Sequence, residues 1–244
     1  GFKSLADIDL NFLAVSGGGE DGAFGAGLLC GWTEAGGRPA FDLVTGVSTG
    51  ALTAPFAFLG TSHDAMLRRI YTEVSAADIL KERSLLAALT DDALADNAPL
   101  LAMITRMVDD AMMRDLAAAY DSGRLLLIGT TDLDSQQPVI WNIGAIAKSG
   151  HARAADLARR VFLASAAVPG AFPPTLIDVT LEGVAHQEMH VDGGAFVQAF
   201  LYPAALSAQR RERIAARRPV ADTEAYIIRN GRLDPDWSNV RRQM

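Results

Sequence analysis

Apolar residues along this chain fall into short runs broken by glycine. The run Asn11-Phe12-Leu13-Ala14-Val15 has strand length and stops at Gly17-Gly18-Gly19, which predicts a short buried strand. A helix is expected from about Gly22 to Ala35, closing at Gly36-Gly37 as glycine-terminated helices do. Phe41-Asp42-Leu43-Val44-Thr45 predicts a second strand, and a helix-length apolar pattern resumes at Ala51. Strand, glycine turn, helix, repeated once, is the order of a parallel α/β sheet.

From His63 to Tyr120 the spacing becomes helical, with Leu100, Ile104, Met107 and Met112 in phase and Pro99 where a first turn tolerates it. This predicts a helical insert beside the sheet over about 63–120. Its methionine-bearing part, Pro99 to Tyr120, reads first as core and second as a lipid-facing cap, because methionine adapts to varied apolar partners. Strand character returns at Leu125 to Thr131 and at Pro138 to Trp141, which Asp134-Ser135 could join as a hairpin. A helix is expected from about Ala152 to Ala166. Glu188-Met189-His190-Val191 alternates like a strand that stops at Asp192-Gly193-Gly194, and Glu224 to Arg229 predicts the last strand. Neither an internal repeat nor a low-complexity tract interrupts the order.

Composition narrows the reading. The 244 residues, half of them apolar, suit one α/β domain. Gly1 at the start and a final stretch with no closing element lead us to expect a piece of a longer chain. The net charge is −7 and the basic residues are scattered apart from Arg210-Arg211 and Arg217-Arg218, so no positive stripe suits a phosphate backbone and nucleic acid is not an expected partner. Cys30 is the only cysteine, which rules out a disulfide or a cysteine metal cluster within the chain. The most apolar window, Ala51 to Leu59, contains Pro55 and is about half the roughly 18 residues a membrane span requires. Contact with a membrane is expected to be peripheral at most.

The most informative string is Gly46-Val47-Ser48-Thr49-Gly50, a Gly-x-Ser-x-Gly pattern with a strand before it and a helix after it. In such an elbow the serine sits on a strained turn, and the residues two before and two after it must lack a Cβ for strand and helix to pass closely. The hydroxyl then stands at the positive end of the helix. A second string, Gly17-Gly18-Gly19-Glu20-Asp21-Gly22, offers consecutive amides unobstructed by side chains after a strand and before a helix. It reads as an oxyanion loop, but it also satisfies Gly-x-Gly-x-x-Gly, the dinucleotide pattern. Against a dinucleotide stand Glu20 and Asp21 beside the pyrophosphate position and the want of an acidic residue ending the second strand. A serine nucleophile needs a base. None of His63, His151, His186 and His190 lies in a turn-rich setting that suggests a triad, whereas Asp192 leaves its strand directly into Gly193-Gly194. On pattern alone Asp192 is either a carboxylate facing the sheet edge or a plain strand-end turn.

Taken together, these strings resemble the patatin-like phospholipase family, which combines a glycine-rich oxyanion loop, a Gly-x-Ser-x-Gly elbow and an Asp-Gly-Gly or Asp-Gly-Ala loop in this order. Ala164-Ser165-Ala166-Ala167-Val168-Pro169 is similar to the family's Ala-Ser-x-Ala-x-Pro segment, and the resemblance spans about Asn11 to Phe196. It implies a three-layer α/β fold with a mostly parallel central sheet flanked by helices. It also implies a serine lipid acyl hydrolase that cleaves carboxylic esters of phospholipids or related lipids through an acyl-enzyme, without a cofactor. By this resemblance Ser48 is the nucleophile, Asp192 its base, and Gly17, Gly18 and Gly19 the oxyanion loop. Gly22, Gly46, Gly50, Gly193, Gly194 and Pro169 complete the motifs. One departure is Asp21, where the family usually carries Arg or Lys just before the last glycine of the first motif. Asp21 near a helix N-terminus reads either as a complement to the helix dipole or as the mark of an entrance less welcoming to anionic head groups, which favours neutral esters or lysolipids. Rival readings are a nucleotide-binding protein using the Gly17–Gly22 loop, a Ser-His-Asp hydrolase, and a catalytically silent member of the same fold.

Overall fold

The computed structural model describes residues 10–73, 81–82, 95–201, 204–218 and 222–231. The opening strand β1 (Leu10–Val15) leads through a single 3-10 turn, Gly19–Asp21, into helix α1 (Gly22–Glu34). Strand β2 (Leu43–Gly46) then feeds helix α2 (Thr49–Leu59). The expected strand Phe41–Thr45 is thus displaced towards its C-terminal end, because Phe41 is fully buried ahead of the ladder and Asn11 N–H and O are both bonded to Asp42.

The described residues of the stretch 63–120 hold three helices and a strand pair. Helices α3 (Asp64–Glu73), α4 (Ala98–Met107) and α5 (Asp110–Asp121) are separated between the first two by a strand pair, β3 (Lys81–Glu82) with β4 (Ala95–Asp96). The parts of the insert at 74–80 and 83–94 lie outside the described residues. Pro99 sits in the first turn of α4, and Asp109 caps α5 by accepting the Met112 amide at 2.8 Å. Leu100, Ile104, Met107 and Met112 are all buried, so the stripe is core.

Strand β5 (Leu125–Asp132) turns at Asp132, whose carboxylate accepts the Asp134 amide, into β6 (Gln137–Asn142), giving the expected hairpin. Two short elements follow: α6 (Ile143–Lys148), capped by Asn142, and α7 (Ala154–Ser165). A second hairpin, β7 (Thr175–Leu181) with β8 (Val184–Asp192), extends the predicted strand 188–191 well upstream. Helix α8 (Ala204–Ala215) and strand β9 (Thr223–Ile228) close the described chain.

Strands β9, β1, β2 and β5 run parallel, with β1 paired on both edges, between β9 and β2, and almost wholly buried. One face packs under α1, α2 and α7 around the fully buried Phe41, Phe56, Phe58 and Phe162. The other face carries Leu10, Phe12, Leu43, Leu125 and Leu127, covered in part by Phe200 and Leu201. The result is the mixed α/β layering expected, with the two hairpins adding antiparallel strands at β5.

The pairing at β5 decides where the chemistry sits. Leu127 and Ile128 pair with β6 on one edge and with β2 on the other, while Thr130 and Asp132 pair with β6 and with β8. Since a strand has only two edges, β2 and β8 share one. They approach along it from opposite directions, and their C-terminal ends meet opposite Gly129, whose only strand partner is Ile140.

Candidate active site

Ser48 emerges where β2 ends. Its backbone adopts φ 56 and ψ −129, a region that costs a residue with a Cβ and persists only where its surroundings enforce it. Both neighbouring glycines are required by space. A Cβ on Gly46 would stand 2.6 Å from the Gly50 carbonyl oxygen, and one on Gly50 would meet the Ser16 carbonyl at 2.5 Å. Helix α2 follows at once, buried from Thr49 to Phe58, with Ser48 at its N-cap. At the other end of α2 two guanidinium groups satisfy its last carbonyls: Arg38 donates to Phe56 and Ala57, and Arg124 to Phe58. Arg38 is in turn held by Asp64 at 2.7 Å, and burial holds Arg124 below the usual guanidinium range.

Asp192 arrives at the same place on β8. It is 4% exposed and Ser48 is 7% exposed, so the two groups meet in a site largely shielded from water. One carboxylate oxygen, Oδ1, accepts the Gly194 amide at 2.6 Å, while Oδ2 has no hydrogen-bond partner. Burial pushes the carboxyl above the ordinary aspartate range; the Ser48 hydroxyl and the Gly194 amide act against that rise. The Ser48 hydroxyl thus neighbours the carboxylate, whose Oδ2 has no hydrogen-bond partner among the described residues. On the main chain, the Asp192 amide donates to the Ala167 carbonyl at 2.9 Å.

The first glycine loop packs against Ser48: a Cβ on Gly17 would lie 3.1 Å from Ser48 Cβ. The loop's amides are not equivalent. Of the three glycines expected to form the oxyanion loop, Gly17 has its N–H engaged, donating to the Gln198 carbonyl at 3.0 Å. Gly18 (φ 156) and Gly19 (φ 56) keep amides with no acceptor among the described residues, as does Thr49 directly after the serine. Asn230, beyond β9, anchors this loop by donating its amide to Ser16 Oγ and its Nδ2 to Ser16 O, each at 2.9 Å, while accepting from Gly25 N–H. Asp21 lies exposed at the entry of α1 with no side-chain capping bond.

Ser165, at the end of α7, is fully buried. Its hydroxyl accepts the Ser48 amide at 3.1 Å and donates to the Gly129 carbonyl at 2.7 Å. Pro169 bridges to Phe172 in the turn that follows. Ser165 belongs to the Ala164–Pro169 segment that the sequence singled out, but without a role for its hydroxyl; Gln198 and Asn230 were not singled out, and the partners of all three lie far away in the chain.

None of the four histidines hydrogen-bonds Ser48. His190, fully buried on β8, engages Thr130 Oγ1 at 3.0 Å and Glu188 at 3.1 Å. His63 faces Asp115 at 3.4 Å, His151 accepts the Arg153 amide, and His186 is exposed. Among the described residues, no three His, Cys, Asp or Glu side chains converge as metal ligands would.

A cavity of about 390 Å³ opens from Ser48 and Gly19. Its walls are Leu52, Ile70, Leu100, Met103 and Phe172, with Thr49 and Tyr71 supplying a polar patch and Glu20 at its rim. The Tyr71 hydroxyl reaches Thr49 Oγ1 at 2.8 Å and Thr53 Oγ1 at 2.9 Å. Burial pushes that phenol above its ordinary range. No Lys or Arg is among the described walls.

A family model for the patatin-like phospholipases matches residues 13–205, which takes in the elbow, the glycine loop, the Ala164–Pro169 segment and the Asp-Gly-Gly loop. The chain belongs to the patatin-like phospholipase family. No curated protein matches it. Among solved structures, VipD from Legionella pneumophila is similar at 11% identity and a TM-score of 0.48, over 94% of this chain and 51% of that one. This patatin-like chain therefore spans about half the length of that neighbour.

Proposed function

We propose that this chain is a serine lipid acyl hydrolase that works through Ser48 and Asp192. The observation that carries the reading is the shared edge of β5. Two strands end head to head there, and they deliver a strained serine and a desolvated carboxylate with one unpartnered oxygen to one buried site. Family membership supports the same class of reaction.

The chemistry follows from the groups present. Asp192 takes the Ser48 proton as the hydroxyl attacks the ester carbonyl, and the raised basicity of the buried carboxylate makes that transfer feasible where an aqueous aspartate would be too weak. The negative charge that develops on the carbonyl oxygen meets the open amides of Gly18, Gly19 and Thr49 at the start of α2. A donor of this kind contributes about 3 kcal/mol, so the loop matters as much as a well-placed base. The protonated Asp192 returns its proton to the departing alcohol, leaving an acyl-Ser48 ester. Water then attacks that ester with Asp192 again as base; the fatty acid leaves and Ser48 recovers its hydrogen. The cavity beside Ser48 is of the size and apolar lining that bury one acyl chain.

Ser48→Ala and Asp192→Asn are each expected to lower hydrolysis of p-nitrophenyl esters by at least about a thousand-fold with the melting profile preserved. His63→Ala, His151→Ala and His186→Ala should keep most of the activity. A fluorophosphonate should add to Ser48, read as an intact-mass increase that Ser48→Ala abolishes. Wild-type protein that stays unlabelled, or a folded histidine variant that loses all turnover, would overturn the dyad.

A further inference from the structure

We propose that Ser165 is a positioning residue that sets the backbone of the nucleophile, an inference that rests on the Ser48–Asp192 reading above. Three facts lead to it. First, Ser48 holds a positive φ that a residue with a Cβ leaves unless neighbours enforce it, and its own amide is fixed by one acceptor, Ser165 Oγ, at 3.1 Å. Second, Gly129 is the residue of β5 that falls between the stretch paired with β2 and the stretch paired with β8, so on that edge its carbonyl has no ladder partner. Ser165 Oγ–H fills the gap at 2.7 Å. Third, two residues later the Ala167 carbonyl accepts the Asp192 amide at 2.9 Å. One turn at the end of α7 therefore holds the nucleophile's backbone, the interruption in the sheet between the two strands, and the backbone of the base.

The hydroxyl is suited to this because it accepts and donates at once. Alanine would do neither, and two buried backbone groups would lose their partners at the point where the sheet changes from parallel to antiparallel pairing. Relaxation of Ser48 towards an unstrained φ would swing its Oγ away from Asp192 and from the amides of Gly18 and Gly19. Since a displacement of the order of 1 Å costs up to about a hundred-fold in rate, the effect belongs in the chemical step rather than in substrate binding.

The test compares Ser165→Ala and Ser165→Cys with wild type, using a short p-nitrophenyl ester and a fluorophosphonate. Cysteine keeps a weak donor and a weak acceptor at similar size. For Ser165→Ala we expect kcat to fall about 10- to 100-fold with KM changed by less than about twofold. Fluorophosphonate labelling should slow by the same factor, still at Ser48, and the acid limb of the kcat/KM profile should move to higher pH, because Asp192 loses the Ser48 hydroxyl that opposes the rise caused by burial. Ser165→Cys should recover part of the loss. If Ser165→Ala melts lower but turns over and labels within about twofold of wild type, Ser165 is a packing residue and the inference fails. If Ser165→Ala does not fold, Ser165→Cys decides by the same comparison. Failure of the underlying reading looks different: wild type itself would not label at Ser48.

Discussion

The two halves of the candidate site are built in opposite ways. The turn after β2 is enclosed: glycines on both sides abut backbone carbonyls, α2 is buried along nearly its whole length, and two partly buried arginines hold its far end. The loop after β8 is held at its root and open beyond it. Asp192 is fixed by the ladder with β5 and by the Ala167 carbonyl, but Ala195 to Gln198 are exposed. In the proposed roles, Ser48 as nucleophile needs an unfavourable backbone conformation that the core must impose, whereas Asp192 as base needs only burial and an unpaired oxygen, which a strand end supplies more cheaply.

That contrast can be broken by placing the same methyl group on each side. Gly50→Ala should produce the largest effect. Its Cβ meets main-chain carbonyls of Val15 and Ser16 that cannot move without shifting β1, so we expect loss of soluble protein or destabilisation beyond about 3 kcal/mol in denaturant titration. Gly194→Ala should instead separate activity from stability. There the Cβ would lie 2.9 Å from Asp192 Oδ1 and 3.2 Å from Gln198 Nε2, both at the ends of side chains that can rotate. A melting temperature near wild type with esterase activity down at least about tenfold is the expected pair of results. Equal damage to fold by the two variants would erase the distinction.

The smallest effect is electrostatic and concerns pH. Because burial raises the folded-state pKa of Asp192, kcat/KM should fall on the acid side with a midpoint above the ordinary aspartate value of about 3.9. The same shift has a stability sign. A carboxyl whose folded pKa exceeds its unfolded one favours folding below the unfolded value, and that contribution is lost as pH rises through the folded value. Asp192→Asn, which does not ionise, should therefore gain in melting temperature relative to wild type as pH is raised from about 4 to 8. A difference that is flat or shrinks over that range would remove burial as the source of the carboxylate's basicity.

The sequence made the first half of the site legible because its determinants are local. An apolar run, a glycine at fixed spacing and a helical pattern lie within a few residues of Ser48, and the structure places β1, α1, β2 and α2 close to the expected positions. The hairpin of β5 and β6 was readable from its turn residues for the same reason. Strand β7 was not, since Thr175 to Leu181 has an alternating exposure that is weak in the sequence and gains meaning only from its pairing with β8. The β3–β4 pair was hidden inside a helix-prone stretch. Ser165 stands in a segment that was legible, but its bond to Ser48 spans 117 residues and that of Asn230 to Ser16 spans 214, so neither partner could be read locally. The Gly17 amide looked identical to its neighbours until its acceptor, Gln198, came into view. What escaped is what long-range hydrogen bonding decides.

Delivery of the carboxylate on an antiparallel strand has a further consequence. Sliding β8 by one residue along β5 would carry Asp192 about 3.3 Å and turn it to the opposite side of the sheet, leaving Val191 or Gly193 opposite Thr130. No half-shifted arrangement exists between these two. The separation of Ser48 and Asp192 is thus graduated in whole residues, like the teeth of a ratchet, and fine adjustment falls to the backbone of Ser48 and to the side-chain torsions of the two residues.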